Sequence, residues 1–320
     1  MGTWVRISIW TGSTTHAASI TQQIENQLKQ QGIDWYPWSE DSHSELRRLN
    51  AALNKGATFN ASDDLLQLLK MSMRMHLASE GFFDPAVMPM TAAWGFANYP
   101  QPTLTTLPST TFLRSWQRSR PKLTDLILQD HFVSSARHDL QLDLGAIAKG
   151  YALDLVKQHL HQSGISQACI NLGGQLLVIG KSLPATCTWI HLQNPRSNDS
   201  LGKIKLMDGE SISTSGDYQR NALVDGNLIH HLLDPYTGAP VPHTQSVTVI
   251  ASSAALADAA STALMAAGPA HWRAIAKKLG IREALRIDTS GKIEVSTALY
   301  SRLTLSPQTL HSHPIQLVAL

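Results

Sequence analysis

Apolar and polar positions alternate through Met1-Gly2-Thr3-Trp4-Val5-Arg6-Ile7-Ser8-Ile9-Trp10, which predicts a half-buried strand. The period then changes. Over residues 15–31, Ile20, Ile24 and Leu28 recur at helical spacing in a polar background, so a surface helix is expected. An aromatic turn, Trp35-Tyr36-Pro37-Trp38, leads into a short helix ending near Asn50; its rings suit either a core or a stack on a flat ligand. Residues 62–79 read as a helix capped by Ser62, with Asp63 and Asp64 in the first turn and Leu65, Leu69, Met73 and Leu77 on one face, ending at Gly81. An aromatic loop region follows, Phe82-Phe83-Asp84-Pro85 and Met90 to Phe96. Residues 98–122, rich in Pro, Thr and Ser, mark the best internal boundary, with a short helix expected from Ser109 to Gln117.

From Leu126 the pattern becomes short strands interrupted by two helices. One helix spans 150–162 and ends near Gly164; the other, built of small residues, runs from Ser253 to Gly268. Between them, Ile170 to Gly180 reads as two strands around Gly173-Gly174, and Trp189 to Arg196 and Ser211 to Arg220 add further strand-like stretches. The abundance of alanine in the second helix implies that another backbone packs very close to it.

A chain of 320 residues with 43% hydrophobic and 16% charged positions buries a sizeable core. Its length fits one domain over 1–320, with lobes expected at about 1–122 and 123–320. The net charge of +2 and the lack of a Lys/Arg run argue against nucleic acid as a partner. The 14 histidines are scattered and not at metal-ligand spacing. Cys169 and Cys187 sit in apolar stretches, as buried free thiols do. No apolar run reaches the ~18 residues of a membrane helix, so no membrane span is expected, and no basic-then-apolar leader is read at the start. The compartment stays open.

Three stretches carry chemistry. Leu142-Asp143-Leu144-Gly145-Ala146-Ile147-Ala148-Lys149-Gly150-Tyr151 runs from strand through a Gly turn into a helix start. Unpaired N–H groups and the helix dipole there can hold a phosphate beside Lys149; the same segment also fits a plain strand–helix connection. In His230-His231-Leu232-Leu233-Asp234-Pro235-Tyr236-Thr237-Gly238 the turn would hold the histidines at a sheet rim, either as a base for a hydroxyl nucleophile or as structural hydrogen-bonding groups. Asp258 is the one formal charge in the alanine-rich helix, with Thr262 one turn on. A buried carboxylate needs a pairing partner or a metal, and Asp plus hydroxyl suits Mg²⁺.

Taken in order, five blocks resemble the ApbE family of FAD:protein FMN transferases: Met1-Gly2-Thr3, Asp143 to Tyr151, Thr214-Ser215-Gly216-Asp217-Tyr218, His231 to Gly238, and Ala257-Asp258-Ala259-Ala260-Ser261-Thr262-Ala263. Weaker similarity extends through Asp41 to Asn50 and Phe82 to Phe96. The resemblance implies an α+β fold of mixed and antiparallel sheets with packed helices, related to the T-fold, with a cleft between two lobes. It implies transfer of FMN from FAD to a threonine hydroxyl of an acceptor flavoprotein through a phosphoester bond, with AMP released and Mg²⁺ required. By position it assigns flavin-nucleotide binding to Met1, Trp38, Asp143, Lys149 and Leu232, and to the loop Phe82, Phe83 and Asp84. It assigns metal ligation to the Ala146 carbonyl, Asp258, Thr262 and Ser261, and the role of base to His231, with Lys149 neutralising phosphate charge.

The chain departs from the family's pattern at Met88-Pro89-Met90, where Val-Gly-Pro is frequent, and at Ala146, where Gly is frequent. A carbonyl ligand tolerates the latter change. Members are commonly exported and lipid-anchored, which this chain's opening does not suggest. Two alternatives stay open: a Mg²⁺-dependent FAD pyrophosphatase releasing FMN and AMP, and a carrier that binds FAD without chemistry.

Overall fold

The computed structural model describes residues 3–38, 43–97, 107–224 and 227–320. Eight strands form one sheet whose spatial order follows chain order: β1 Val5–Ile9, β2 Ala168–Leu172, β3 Gln175–Ile179, β4 Ser211–Gly216, β5 Thr244–Ala251, β6 Glu283–Asp288, β7 Ile293–Ser296 and β8 Ile315–Val318. Neighbours are antiparallel except β7 and β8, which pair in parallel. The fold is α+β. The β2–β3 hairpin turns through Gly173 (φ 59°) and Gly174 (φ 92°), the positive φ at both positions that a type I′ turn matched to strand twist requires.

Five helices position what matters here: α1 Thr14–Asp34, α2 Glu45–Asn54, α3 Asp63–Ala78, α4 Ala148–Gln162 and α5 Ala254–Lys278. One face of the sheet, through Ile170, Leu177, Val247 and Val249, joins the helices in the larger core. The opposite face, through Val178, Ile212, Ile250 and Leu285, packs on Leu192, Leu201 and Ile204 of a smaller sheet formed by Trp189–Gln193, Ser200–Lys205 and Leu303–Leu305. The larger core runs from Ile20 to Val318, and the first strand pairs with β2, so early and late segments share one interior.

α3 begins at its Ser62 cap, yet it buries Leu65, Leu66, Leu68, Leu69, Ser72 and His76, while Leu77 is 61% exposed. Spacing of four at every step drifts around a helix of 3.6 residues per turn, so Leu77 has rotated off the face that Leu65 defines. α5 departs from expectation in the other direction. Gly268 (φ 61°) breaks the helical path and Pro269 restarts it, so a second arm continues to Lys278.

The alanine-rich arm of α5 does meet another backbone. A Cβ placed on Gly150 of α4 would lie 2.2 Å from the Ala254 carbonyl oxygen, so only glycine permits this approach. Asp154 of α4 completes the contact. Its carboxylate accepts from the backbone N–H groups of Ala254 (2.7 Å) and Ala255 (3.0 Å) and from the Ser253 hydroxyl (2.7 Å), satisfying the start of α5.

Candidate active site

The start of α4, the first arm of α5, β4, the loop 82–85 and the segment 231–235 wall a cleft of about 360 Å³. Asp143, Ala146, Lys149, His231, Leu232, Asp258 and Thr262 all line it, as do Phe82, Phe83 and Asp84. Met1 lies outside the described residues.

Asp143 is held from both sides. Its Oδ2 accepts from the Trp38 indole N–H at 2.9 Å and its Oδ1 from the Gly145 N–H at 2.8 Å, so the aromatic turn at 35–38 is tied to the Gly turn before α4. The Lys149 ammonium donates to the Gly145 carbonyl (3.1 Å) and to both oxygens of Asp258 (3.3 and 3.4 Å). Asp258 is only 4% exposed and also accepts from the Gly150 N–H at 3.1 Å and the Ser213 hydroxyl at 3.4 Å. The isolated charge on the alanine helix is thus paired.

Two of the first N–H groups of α4 are engaged within the protein. The Ala148 N–H already donates to the Leu144 carbonyl and the Gly150 N–H to Asp258.

A cation already sits among these oxygens, the ammonium of Lys149. A carboxylate, a hydroxyl and carbonyl groups form the hard-oxygen set that a small divalent cation such as Mg²⁺ selects, so the residues fit that group. Among the described residues no three His, Cys, Asp or Glu side chains gather as a metal-holding group. A metal at this position would rest on one carboxylate and neutral oxygens. Ser261 lies behind the wall at 0% exposure. Its hydroxyl donates to the Asp258 carbonyl (2.9 Å) and contacts Ser215 (2.8 Å).

His231 closes the opposite side. Its Nδ1 lies 3.1 Å from the Arg220 carbonyl, which can only accept, so Nδ1 carries the hydrogen and Nε2 is the basic nitrogen. Burial first, then the Arg220 charge, push its pKa down to about 3, so the ring is neutral at pH 7. Its neighbour His230 bonds the Val241 carbonyl through Nε2, and burial lowers its pKa as well. One of the two histidines faces the cleft and the other is structural.

Asp84 behaves differently from the other acids. Its oxygens accept from Arg120 (2.7 Å), the Leu123 N–H (3.1 Å) and the Ala86 N–H (3.1 Å), all within the protein. Phe82 is set between Tyr236 (centroids 5.3 Å apart) and His271 (5.7 Å). Sequence reasoning missed Arg220 and Ser213 as lining residues; Tyr36 it left as a core or stacking ring, and Ser215 it singled out only within a block of family resemblance, with no role. Strand alternation was the available signal for the two serines: residues 213 and 215 share a face of β4, and that face looks at α5.

The sequence model of the ApbE family matches residues 1–285. A Rhodobacter capsulatus protein named FAD:protein FMN transferase is 37% identical over 278 residues, covering 86% of this chain and 52% of the relative, so the chain spans about half that protein's length. A Klebsiella pneumoniae protein of the same name is 30% identical over 285 residues, covering 88% of this chain and 80% of the relative. Among solved structures, the ApbE protein of Thermotoga maritima superposes with a TM-score of 0.83 at 28% identity, covering 95% of this chain and 96% of the other. The flavin transferase ApbE of Vibrio cholerae gives 0.80 at 27% identity with the same coverage of both chains.

Proposed function

Because the chain belongs to the ApbE family, we propose that it transfers FMN from FAD to a threonine hydroxyl of an acceptor flavoprotein and releases AMP, as the names of its relatives suggest in part. The supporting observation is the convergence of Asp143, Lys149, His231, Leu232, Asp258 and Thr262, from well-separated stretches of chain, on one cleft. FAD is the substrate. Asp143, Lys149 and Leu232 bind it, together with Trp38, Met1 and the loop carrying Phe82 and Phe83, while Asp84 holds that loop in shape.

In the reaction the acceptor oxygen bonds to the FMN phosphorus as the bond from that phosphorus to the bridging oxygen breaks, and AMP leaves with the bridging oxygen. The hydroxyl proton passes to Nε2 of His231, the nitrogen left basic by the Nδ1–Arg220 bond. Lys149 exchanges Asp258 for the diphosphate and neutralises part of its charge. Mg²⁺, held by the Ala146 carbonyl, Asp258 and Thr262 with Ser261 behind them, would supply Lewis-acid neutralisation of the remaining phosphate oxygens.

His231→Ala is expected to bind FAD normally and to lose roughly 10²- to 10⁴-fold in transfer rate, the worth of a general base. Incubation with FAD, Mg²⁺ and an acceptor, followed by in-gel flavin fluorescence and intact mass, measures this. Undiminished labelling would remove His231 from the chemistry. Free FMN plus AMP with unlabelled acceptor would point to pyrophosphatase activity, and an inert FAD complex to a carrier.

A further inference from the structure

At the cleft wall, Ser215 and Thr262, which line it, and Ser261, buried behind them, form a chain of hydroxyls whose hydrogens can be assigned. Ser261 Oγ lies 2.9 Å from the Asp258 carbonyl oxygen, Ser215 Oγ lies 2.8 Å from Ser261 Oγ, and Thr262 Oγ1 lies 3.2 Å from Ser215 Oγ. A carbonyl only accepts, and a serine hydroxyl has one hydrogen. The hydrogen of Ser261 therefore goes to Asp258, the hydrogen of Ser215 goes to Ser261, and that of Thr262 goes to Ser215. Reversing the chain sets two lone pairs against each other between Ser261 and the Asp258 carbonyl, at a residue of 0% exposure where water does not compensate.

The consequence falls at the free end. Thr262 lines the cleft beside Asp258, and with its hydrogen drawn back toward β4 its oxygen offers only lone pairs to whatever enters. A hydroxyl left free to rotate would instead spend part of its time pointing a positive hydrogen at an incoming cation.

We propose that Ser215 is a positioning residue that presets Thr262 as an acceptor-only ligand for a divalent cation, an inference that rests on the metal reading given above. β4 makes this possible by alternation. Ser213 and Ser215 face α5, Ser213 reaching an Asp258 carboxylate oxygen at 3.4 Å, while Thr214 turns the other way and pairs with Thr248 at 2.9 Å. Both side-chain ligands of the proposed site are thereby supported from the same strand, through different oxygens. Outer partners of metal ligands commonly contribute ~10- to 100-fold in metal affinity.

The test is a Mg²⁺ titration of the FAD-loaded protein, read by calorimetry and by the rise in unfolding temperature, on wild type, Ser215→Ala, Ser215→Thr and Asp258→Asn. Ser215→Ala is expected to weaken Mg²⁺ binding about tenfold, and Ser215→Thr, which keeps the hydroxyl, to restore most of it. A Ser215→Ala protein that unfolds earlier but titrates with the wild-type Mg²⁺ midpoint would show a merely structural serine and overturn the proposal. A wild-type midpoint in Asp258→Asn, or no Mg²⁺ binding by any of the four, would instead overturn the metal reading itself and the inference with it.

Discussion

At the scale of single residues, His231 has a consequence for stability as well as for chemistry. Folded, it is held neutral, with its pKa pushed from 6.5 to about 3 by burial and then by Arg220; unfolded, it recovers its ordinary value. Between about pH 3 and 6.5 the unfolded chain binds a proton that the folded chain does not, so stability rises with pH across that window and is lost as pH falls through it. His230, lowered by burial too, adds to the same trend. His231→Gln is expected to lose less unfolding temperature than wild type between pH 7 and pH 5, as measured by calorimetric scans at matched ionic strength. Equal losses would place the acid sensitivity on other groups. The same burial that keeps Nε2 free of a proton also makes it a weak base, so in the transfer reaction proposed above an anionic diphosphate beside the ring, which favours its protonated form, would raise its basicity.

At the scale of elements, the α4–α5 contact is the joint on which the site turns, because it carries Lys149 and Asp258 to each other. Gly150→Ala would put a methyl 2.2 Å from the Ala254 carbonyl oxygen, a backbone atom that cannot rotate away. Overpacking of this kind costs about 1–3 kcal/mol. The variant should unfold at lower temperature and lose Mg²⁺ response together, since separating the helices also withdraws the Gly150 N–H from Asp258. A stable variant with wild-type metal response would mean the joint is looser than its contacts indicate. Much of this joint was legible in the residues: the alanine run of α5 announced a close neighbour, Gly173-Gly174 announced the β2–β3 turn, and Ser62 announced the start of α3. Each of those signals is local, a matter of φ, of side-chain size or of an orphan N–H. Asp154 was not legible. It satisfies the start of α5 from 100 residues upstream, and within its own helix it looks like any solvent-facing acid. Arg220 escaped for the same reason, since nothing near it in the chain marks the cleft it reaches, whereas Ser215 could have been placed by strand alternation.

At the scale of the whole molecule, Asp84 shows how a residue of a binding loop can serve architecture. Its carboxylate, fully buried, pairs with Arg120 at 2.7 Å and bonds the Leu123 N–H, so the loop carrying Phe82 and Phe83 is fastened to the segment that leads into the second half of the chain. Arg120 in turn lies over the Tyr236 ring, 4.7 Å from its centroid, and Tyr236 packs edge-on against Phe82. His76 reaches the same group from α3, with Nδ1 at 3.6 Å from Asp84 and at 3.0 Å from the Phe83 carbonyl. His76 of α3 and the segment 120–123 thus meet one carboxylate at the cleft wall, and Tyr236 packs on Arg120 and Phe82 beside it. Removing the charge strands a buried guanidinium, and breaking a buried pair from one side costs about 3–5 kcal/mol. Asp84→Asn is therefore expected to lower the unfolding temperature by several degrees while the protein, kept cold and folded, still binds FAD. The two readings separate cleanly in one pair of measurements, thermal unfolding and FAD titration at low temperature. A variant with wild-type stability and no FAD affinity would mean that the carboxylate meets the flavin nucleotide directly, which its existing hydrogen bonds leave little capacity to do.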